Sequence, residues 1–149
     1  MECMDFRVRT AEETDCSEIT RLSNEMGYPS SFKKVCEILD MVLSHDDHQL
    51  FVAANDEKLL GYIHLVHSLR LSSEPFIEIA AIVVEQSVRH KGIGKALIEK
   101  TEKWAKNREF DFIRIRSNII REDAHQFFYH QGFKKLKTQD VFFKEMIQK

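Results

Sequence analysis

PFIEIAAIVVEQSVRHKGIGKALI, residues 75–98, is the stretch whose reading decides the fold. It opens as an apolar run, Phe76 to Val84, β-branched towards its end and short enough to be a buried strand. It closes as a helix, because Ile93, Ala96, Leu97, Thr101 and Trp104 recur at helical spacing. Between the two lie Arg89, His90, Lys91, Gly92, Ile93 and Gly94. Two glycines one residue apart let a backbone turn tightly and bring its N–H groups close to a ligand. At a helix N-terminus those donors are unsatisfied, and the positive end of the dipole attracts anions. Arg89 and Lys91 add two cations there. The segment therefore reads as a phosphate cradle or, more plainly, as glycines that only tighten a strand-to-helix turn. It is not the dinucleotide fingerprint, whose third glycine is replaced by Leu97, and it lacks the Gly-Lys-Ser/Thr ending of a P-loop.

Outward from this stretch, composition sets the bounds. A chain of 149 residues reads as one domain, long enough to bury a sizeable core. With 22 basic and 24 acidic residues the net charge is −2, which gives no general drive towards nucleic acid or anionic membranes. Cys3, Cys16 and Cys36 are odd in number, widely spaced and without a C-x-x-C, so neither a disulfide nor a zinc site is expected, and a reducing cytoplasm is the default. The first residues carry neither a basic region nor an apolar core, so no signal peptide is expected, and no apolar run is long enough to span a bilayer.

Upstream, residues 6–9 alternate as a short strand. Asp15 with Glu18 three residues on reads as a helix N-cap and its capping-box partner, and Ile19, Leu22 and Met26 mark a helix face closed by Gly27. Ser30 and Ser31 can cap a second helix with Val35, Ile38, Leu39 and Val42 on one face. His45, Asp46, Asp47 and His48 are metal-ligand types, but polar residues clustered after a helix read first as a solvated loop, and no metal is expected. Residues 50–54 and 59–66 are strands of a hairpin turning at residues 55–58; His64 and His67 on the second read as packed or rim histidines rather than catalysts.

Downstream, the helix continues over residues 95–106, and residues 112–117 form a strand in which Arg114 and Arg116 alternate with isoleucines and face solvent or acidic neighbours. Ala124, Phe127, Phe128 and Gln131 share a helix face, with Gly132 suited to a left-handed C-terminal cap. Two final strands are expected over residues 133–136 and 141–146.

Arg89-x-x-Gly92-x-Gly94 after a hydrophobic strand resembles the acyl-CoA-binding motif of the GNAT superfamily of N-acyltransferases, and the resemblance covers nearly the whole chain. It implies an α/β (α+β) fold, a mixed, splayed central sheet flanked by helices on both faces. It implies acetyl-CoA as acyl donor. The pantetheine would pair with strand backbone at Ile82, Val83 and Val84, and the pyrophosphate would sit on the amides of Arg89, His90, Lys91, Gly92, Ile93, Gly94 and Lys95. The interhelical loop would cover the acceptor, which makes Tyr28 either a wall of that site or a packed turn residue.

The reaction implied is direct attack of a primary amine on the thioester. Glu78, eleven residues before Arg89, stands where members of the family carry a glutamate general base; otherwise it is a strand-end carboxylate facing water. A strand N–H at Val84 or Val83 would meet the oxyanion. The tyrosine that protonates the leaving thiolate in the family is replaced by Phe128, with Tyr129 one residue on and about 100° around the helix. Phe128 would line the thiol end, and Tyr129 is the candidate acid. The family's loop asparagine is replaced by Arg121, with Asn118 earlier as a candidate cofactor contact. The expectation is thus an N-acetyltransferase acting on a small-molecule amine, with homodimers common in the family. The alternatives are a protein lysine or N-terminal acetyltransferase and a non-catalytic acyl-CoA sensor module. Nucleic-acid binding through Arg114, Arg116 and Arg121 is opposed by the overall charge.

Overall fold

Extended runs and helical stripes resolve, in a computed structural model that describes residues 5–28, 30–117 and 122–147, into two compact units, residues 1–116 and 117–149. Cys3, Pro29, Asn118 and Arg121 lie outside the described residues.

In the first unit the elements run β1 (Arg7–Thr10), α1 (Cys16–Glu25), α2 (Phe32–Ser44), β2 (His48–Ala54), β3 (Leu59–Ser68), β4 (Phe76–Val84), α3 (Ile93–Asn107) and β5 (Ile113–Ile115). The strands form one sheet in chain order. Neighbours from β1 to β4 are antiparallel, and β5 joins β4 in parallel, so the sheet is mixed. Strand alternation sends Leu50, Val52, Tyr62 and Val83 into one core with Ile19, Leu22, Leu39 and Val42 of α1 and α2. Phe51 faces the other way, under Lys100 of α3, and α3 buries Ile93, Leu97, Ile98, Thr101 and Ala105. Helices therefore cover both faces. The buried stripe of α3 runs through Ile98 and Ala105, whereas Ala96 and Trp104 sit at its margins, the indole beneath the Arg108 guanidinium.

Helix ends follow the local chemistry. Ser31 caps α2 by accepting the Lys34 amide at 3.1 Å. Gly27 at φ +86° closes α1 with paired bonds, Gly27 N to Asn24 O and Tyr28 N to Ser23 O, both 3.0 Å. Asp15 departs from its expected capping role. Its carboxylate takes a two-pronged ion pair from Arg9, at 2.8 and 2.9 Å, and the Glu12 amide at 2.8 Å. A charged fork outbids a helix amide for the same oxygens. Glu18 likewise serves Arg21 and the Leu59 amide.

The expectation of no disulfide is overturned. Cys16 opens α1, Cys36 lies in α2, and the structure joins them with a Cα–Cα distance of 5.5 Å. Twenty residues separate them in sequence; packing of α1 on α2 brings them together, which spacing does not reveal. Among the described residues no helix is long and apolar enough to cross a membrane.

Gly61 is a packing requirement missed in the sequence. A Cβ there would stand 2.6 Å from the Val83 carbonyl oxygen and 3.3 Å from Ile93 Cγ2. Neither neighbour can give way, since one is sheet backbone and the other is fully buried at the start of α3. Gly61→Ala is expected to lower the unfolding free energy by about 2–3 kcal/mol, read as a lower denaturant midpoint at unchanged slope.

The second unit holds α4 (Glu122–His130). Gly132 at φ +90° ends it as expected, with Gly132 N on Tyr129 O and Phe133 N on Phe128 O. The Phe128 ring meets Phe133 edge-on at 5.9 Å between centroids. The two strands expected over residues 133–136 and 141–146 are not formed. A strand exists where its backbone finds a ladder, and within this unit neither segment pairs with the other.

Candidate active site

β4 changes character halfway along. β5 pairs only with Ile77, Glu78 and Ile79, while β3 accompanies β4 to Val84. From Ala80 onward β4 therefore has no strand on its β5 side within the unit. The register slips at this point: His64 faces Ala81 and Leu65 faces Ile79, which leaves Ala80 as a bulge. Beyond it the Glu85 amide bonds to Leu60 O on β3 at 2.9 Å. Alternation then turns the Val83 amide towards β3 as well, and turns those of Ile82 and Val84 to the open edge.

After β4 the chain makes a short 3-10 turn, Gln86–Val88, and enters α3 through His90 at φ +66° and Gly92 at φ +90°. Only glycine adopts the second freely. The first helical bond runs from Ala96 N to Gly92 O, so the amides of Ile93, Gly94 and Lys95 have no carbonyl one turn earlier to meet. Lys91 and Lys95 are exposed beside them. This arrangement fits the anionic pyrophosphate of an acyl-CoA: free donors at a helix start, a left-handed glycine and two lysines.

The loop leading into the turn is braced by α1. Glu85, 4% exposed, binds Arg21 at 2.7 Å, Lys58 at 3.0 Å and Ser87 at 2.7 Å. Burial pushes its carboxyl up, but these three bonds outweigh it and hold the pKa at about 2. Glu25 accepts the Gln86 amide at 2.7 Å. The Arg89 guanidinium does not stand over the turn; its Nη2 reaches Met26 Sδ at 3.0 Å, at the end of α1 and next to Tyr28. Tyr28 is half exposed there.

Glu78 lies two residues before the bulge, with its side chain 21% exposed. Its Oε1 is 3.3 Å from Arg116 Nε and 3.9 Å from Arg70 Nη2. The charge in an apolar strand is thus accounted for by cationic partners. Of these, Arg116 was expected to face solvent or an acidic neighbour, and the second holds; Arg70, eight positions before Glu78 in the chain, gave no signal. Arg114, in register with Glu78, lies against the buried Phe76 ring, 4.2 Å from guanidinium carbon to centroid.

His64 sits on the same sheet face as Ala81, and its Nε2 shares a hydrogen bond with His48 Nδ1 at 2.9 Å. His48 therefore belongs to β2 rather than to a solvated loop. Burial, then the neighbouring His48, lowers the His64 pKa from its ordinary value near 6.5 to about 4. Between those values the unfolded chain binds a proton at residue 64 that the folded chain does not, so stability rises with pH. This contribution is fully present above pH 6.5 and is lost as the pH falls to about 4, with a slope of up to about 1.4 kcal/mol per pH unit. Chemical denaturation across that window should show the slope, and His64→Gln should flatten it.

Phe128 and Tyr129 belong to the second unit, where Phe128 packs on Phe133. Asn118 lies outside the described residues.

The chain matches the model of the acetyltransferase (GNAT) family over residues 12–133. Among curated proteins it is 26% identical to an aminoalkylphosphonate N-acetyltransferase of Salmonella typhimurium, over 91% of this chain and 88% of that protein. Among solved structures it resembles an acetyltransferase of Trypanosoma brucei, with a TM-score of 0.79 and 22% identity over 94% of this chain and all of the other. It also resembles the aminoglycoside N-acetyltransferase AAC(6')-Iy in complex with CoA, with a TM-score of 0.83 and 17% identity over 96% of each chain. These structural likenesses establish the mixed α/β fold.

Proposed function

The chain belongs to the acetyltransferase (GNAT) family and is an acetyl-CoA-dependent N-acetyltransferase, and we propose that its acceptor is the primary amine of a small molecule, with Glu78 as general base. One observation carries this reading: the Glu78 carboxylate lies on β4 two residues before the bulge at which the strand's open edge begins.

A primary amine of pKa near 10.4 is almost wholly protonated at neutral pH, and freeing its lone pair costs about 4–5 kcal/mol. A fixed carboxylate that takes the proton, directly or through one water, lowers that part of the barrier. Acetyl-CoA supplies the acetyl group as a thioester. Ile82 and Val84 would align it through their outward amides, one of which would meet the carbonyl oxygen as charge develops there. The amides of Ile93, Gly94 and Lys95, with Gly92, Lys91 and Lys95 itself, would bind the pyrophosphate; His90 shapes the turn. Arg89 contributes by tying the turn to the end of α1, beside Tyr28, a wall of the acceptor site.

A thiol pKa near 8.5 makes departure as free thiolate cost only about 2 kcal/mol relative to the thiol at pH 7. Phe128 in place of a tyrosine is therefore compatible with turnover, with Tyr129 or water returning the proton. The family match spans both compact units, which supports reading residues 1–149 as one acetyltransferase domain.

The curated relative's acceptor, an aminoalkylphosphonate, supports a small amine over a protein lysine. Purified protein mixed with acetyl-CoA and a panel of primary amines should release free thiol only when an amine is present, with one acetylated amine formed per thiol. Thiol release that no small amine stimulates, but a lysine peptide does, would reassign the acceptor.

A further inference from the structure

The acceptors named for related proteins, aminoalkylphosphonates and aminoglycosides, carry opposite charge, and the fold does not choose between them. The side chains around Glu78 do. We propose that Arg70, Arg114 and Arg116 form a binding site for a doubly charged tetrahedral oxyanion, a phosphonate or phosphate monoester, carried by the acceptor amine. The proposal rests on the reading that Glu78 meets that amine.

Three guanidinium groups converge on one end of the sheet. Arg116 and Arg70 approach the same carboxylate oxygen of Glu78, at 3.3 and 3.9 Å. Arg114 and Arg70 both lie over the ring of Phe76, at 4.2 and 5.1 Å, and that ring is 1% exposed. Among the described residues Glu78 is the sole carboxylate in ion-pair contact with any of the three. Among the described residues, three positive charges against this one negative leave a surplus of two. Like charges crowded on one patch repel, and a dianion relieves the repulsion.

The groups are also presented for capture. Arg116 reaches Glu78 through Nε, which leaves its two terminal nitrogens, the fork that grips phosphate oxygens, uncommitted among the described residues. Arg114 has no polar partner among the described residues, and its guanidinium carbon lies 4.2 Å from the centroid of the Phe76 ring. A guanidinium laid on an aromatic ring keeps its orientation without spending its donors. Arg70 arrives from the β3–β4 connection and Arg114 and Arg116 from β5 and its end, so the anion would be held from two sides.

The patch is separate from the acyl-CoA cradle. From Glu78 to Val84 is six residues of strand, about 20 Å, and the helix-start amides lie beyond. It is adjacent to the proposed base, which suits an amine and an anion joined by a short linker. The same surplus repels a polycationic aminoglycoside.

The test compares amines of similar length with acetyl-CoA and the full chain: 2-aminoethylphosphonate, O-phosphoethanolamine, β-alanine, propylamine and an aminoglycoside. The phosphonate or the phosphate ester should exceed propylamine in kcat/KM by about 100-fold or more, as for sites built around a charged ligand group. Their relative rank tells which anion the site prefers. Arg114→Gln and Arg116→Gln should each shrink the anion-to-propylamine ratio at least about tenfold, mainly through KM. Propylamine or the aminoglycoside turning over as well as the anionic amines, or a ratio unmoved by both variants, would overturn the proposal and leave acetyl transfer standing. Methylphosphonate, which carries no amine, supplies an arm independent of turnover. It should raise the Tm of the wild type and not that of Arg114→Gln. No shift in the wild type would overturn the site whatever the kinetics, and acetyl-CoA binding without turnover of any amine would instead sink the reading of Glu78 on which it rests.

Discussion

Glu78→Gln is expected to lower kcat for amine acetylation by about 10²–10³-fold while leaving KM for acetyl-CoA within a factor of about two, the size of a lost general base. The pH dependence separates this from mere disturbance of the Arg70 and Arg116 pairs. Raising the pH by one unit increases the free-amine fraction about tenfold until the amine's own pKa near 10.4 is approached. A variant without a base gains from every such increment. The ratio of wild-type to variant rate should therefore narrow steadily as the pH rises from 7 to about 9.5. A defect that stays constant with pH would mean that the carboxylate positions arginines and does not carry protons.

Gly92→Val should act at the other end of β4, on donor binding. Gly92 holds φ at +90° with no atom within 4 Å of where a Cβ would stand, so the obstacle is backbone conformation and not crowding. A β-branched residue forced into that region costs about 1–2 kcal/mol or more, and the turn can escape the strain only by moving. Movement tilts the amides of Ile93, Gly94 and Lys95 away from a common point. KM for acetyl-CoA is expected to rise at least about tenfold, with a smaller change in kcat at saturating donor, because the cradle binds groups remote from the reacting carbon. Isothermal titration with CoA should show the same loss without any acceptor present.

The parts of this molecule that were legible in the sequence are those whose cause is local. The apolar run of β4, the glycine at the start of α3, the serine cap of α2 and the glycine ends of α1 and α4 each follow from a few adjacent residues, and each formed as expected. The mixed sheet with helices on both faces came from the family resemblance, and the observed topology agrees with it. What stayed hidden depends on residues far apart in the chain. Arg70 meets Glu78 only because the β3–β4 connection folds back over the start of β4; Cys16 meets Cys36 only because α1 packs on α2. The bulge at Ala80 has no composition signal, yet it sets where the open edge begins. Asp15 illustrates competition: its spacing fits a cap, but Arg9 on the neighbouring strand takes the carboxylate first. Residues 133–136 and 141–146 carry residues that suit a strand, and pairing, which composition alone cannot provide, decides whether a strand forms.

Two features of the site act together. The brace of Arg21, Lys58 and Ser87 on Glu85 and the tie of Arg89 to Met26 fix the donor turn relative to α1 and hence to the loop bearing Tyr28. On the proposed reading, the arginines around Glu78 would set the charge of the acceptor that can approach the strand's other end.

The most direct test of the account is mass spectrometry of a primary amine incubated with this protein and acetyl-CoA labelled with heavy isotope in the acetyl group. One labelled acetyl group is expected on the amine nitrogen, formed at the same rate as free thiol and abolished when the protein is omitted. Thiol released without label on the amine, or no release with any small primary amine, would contradict it.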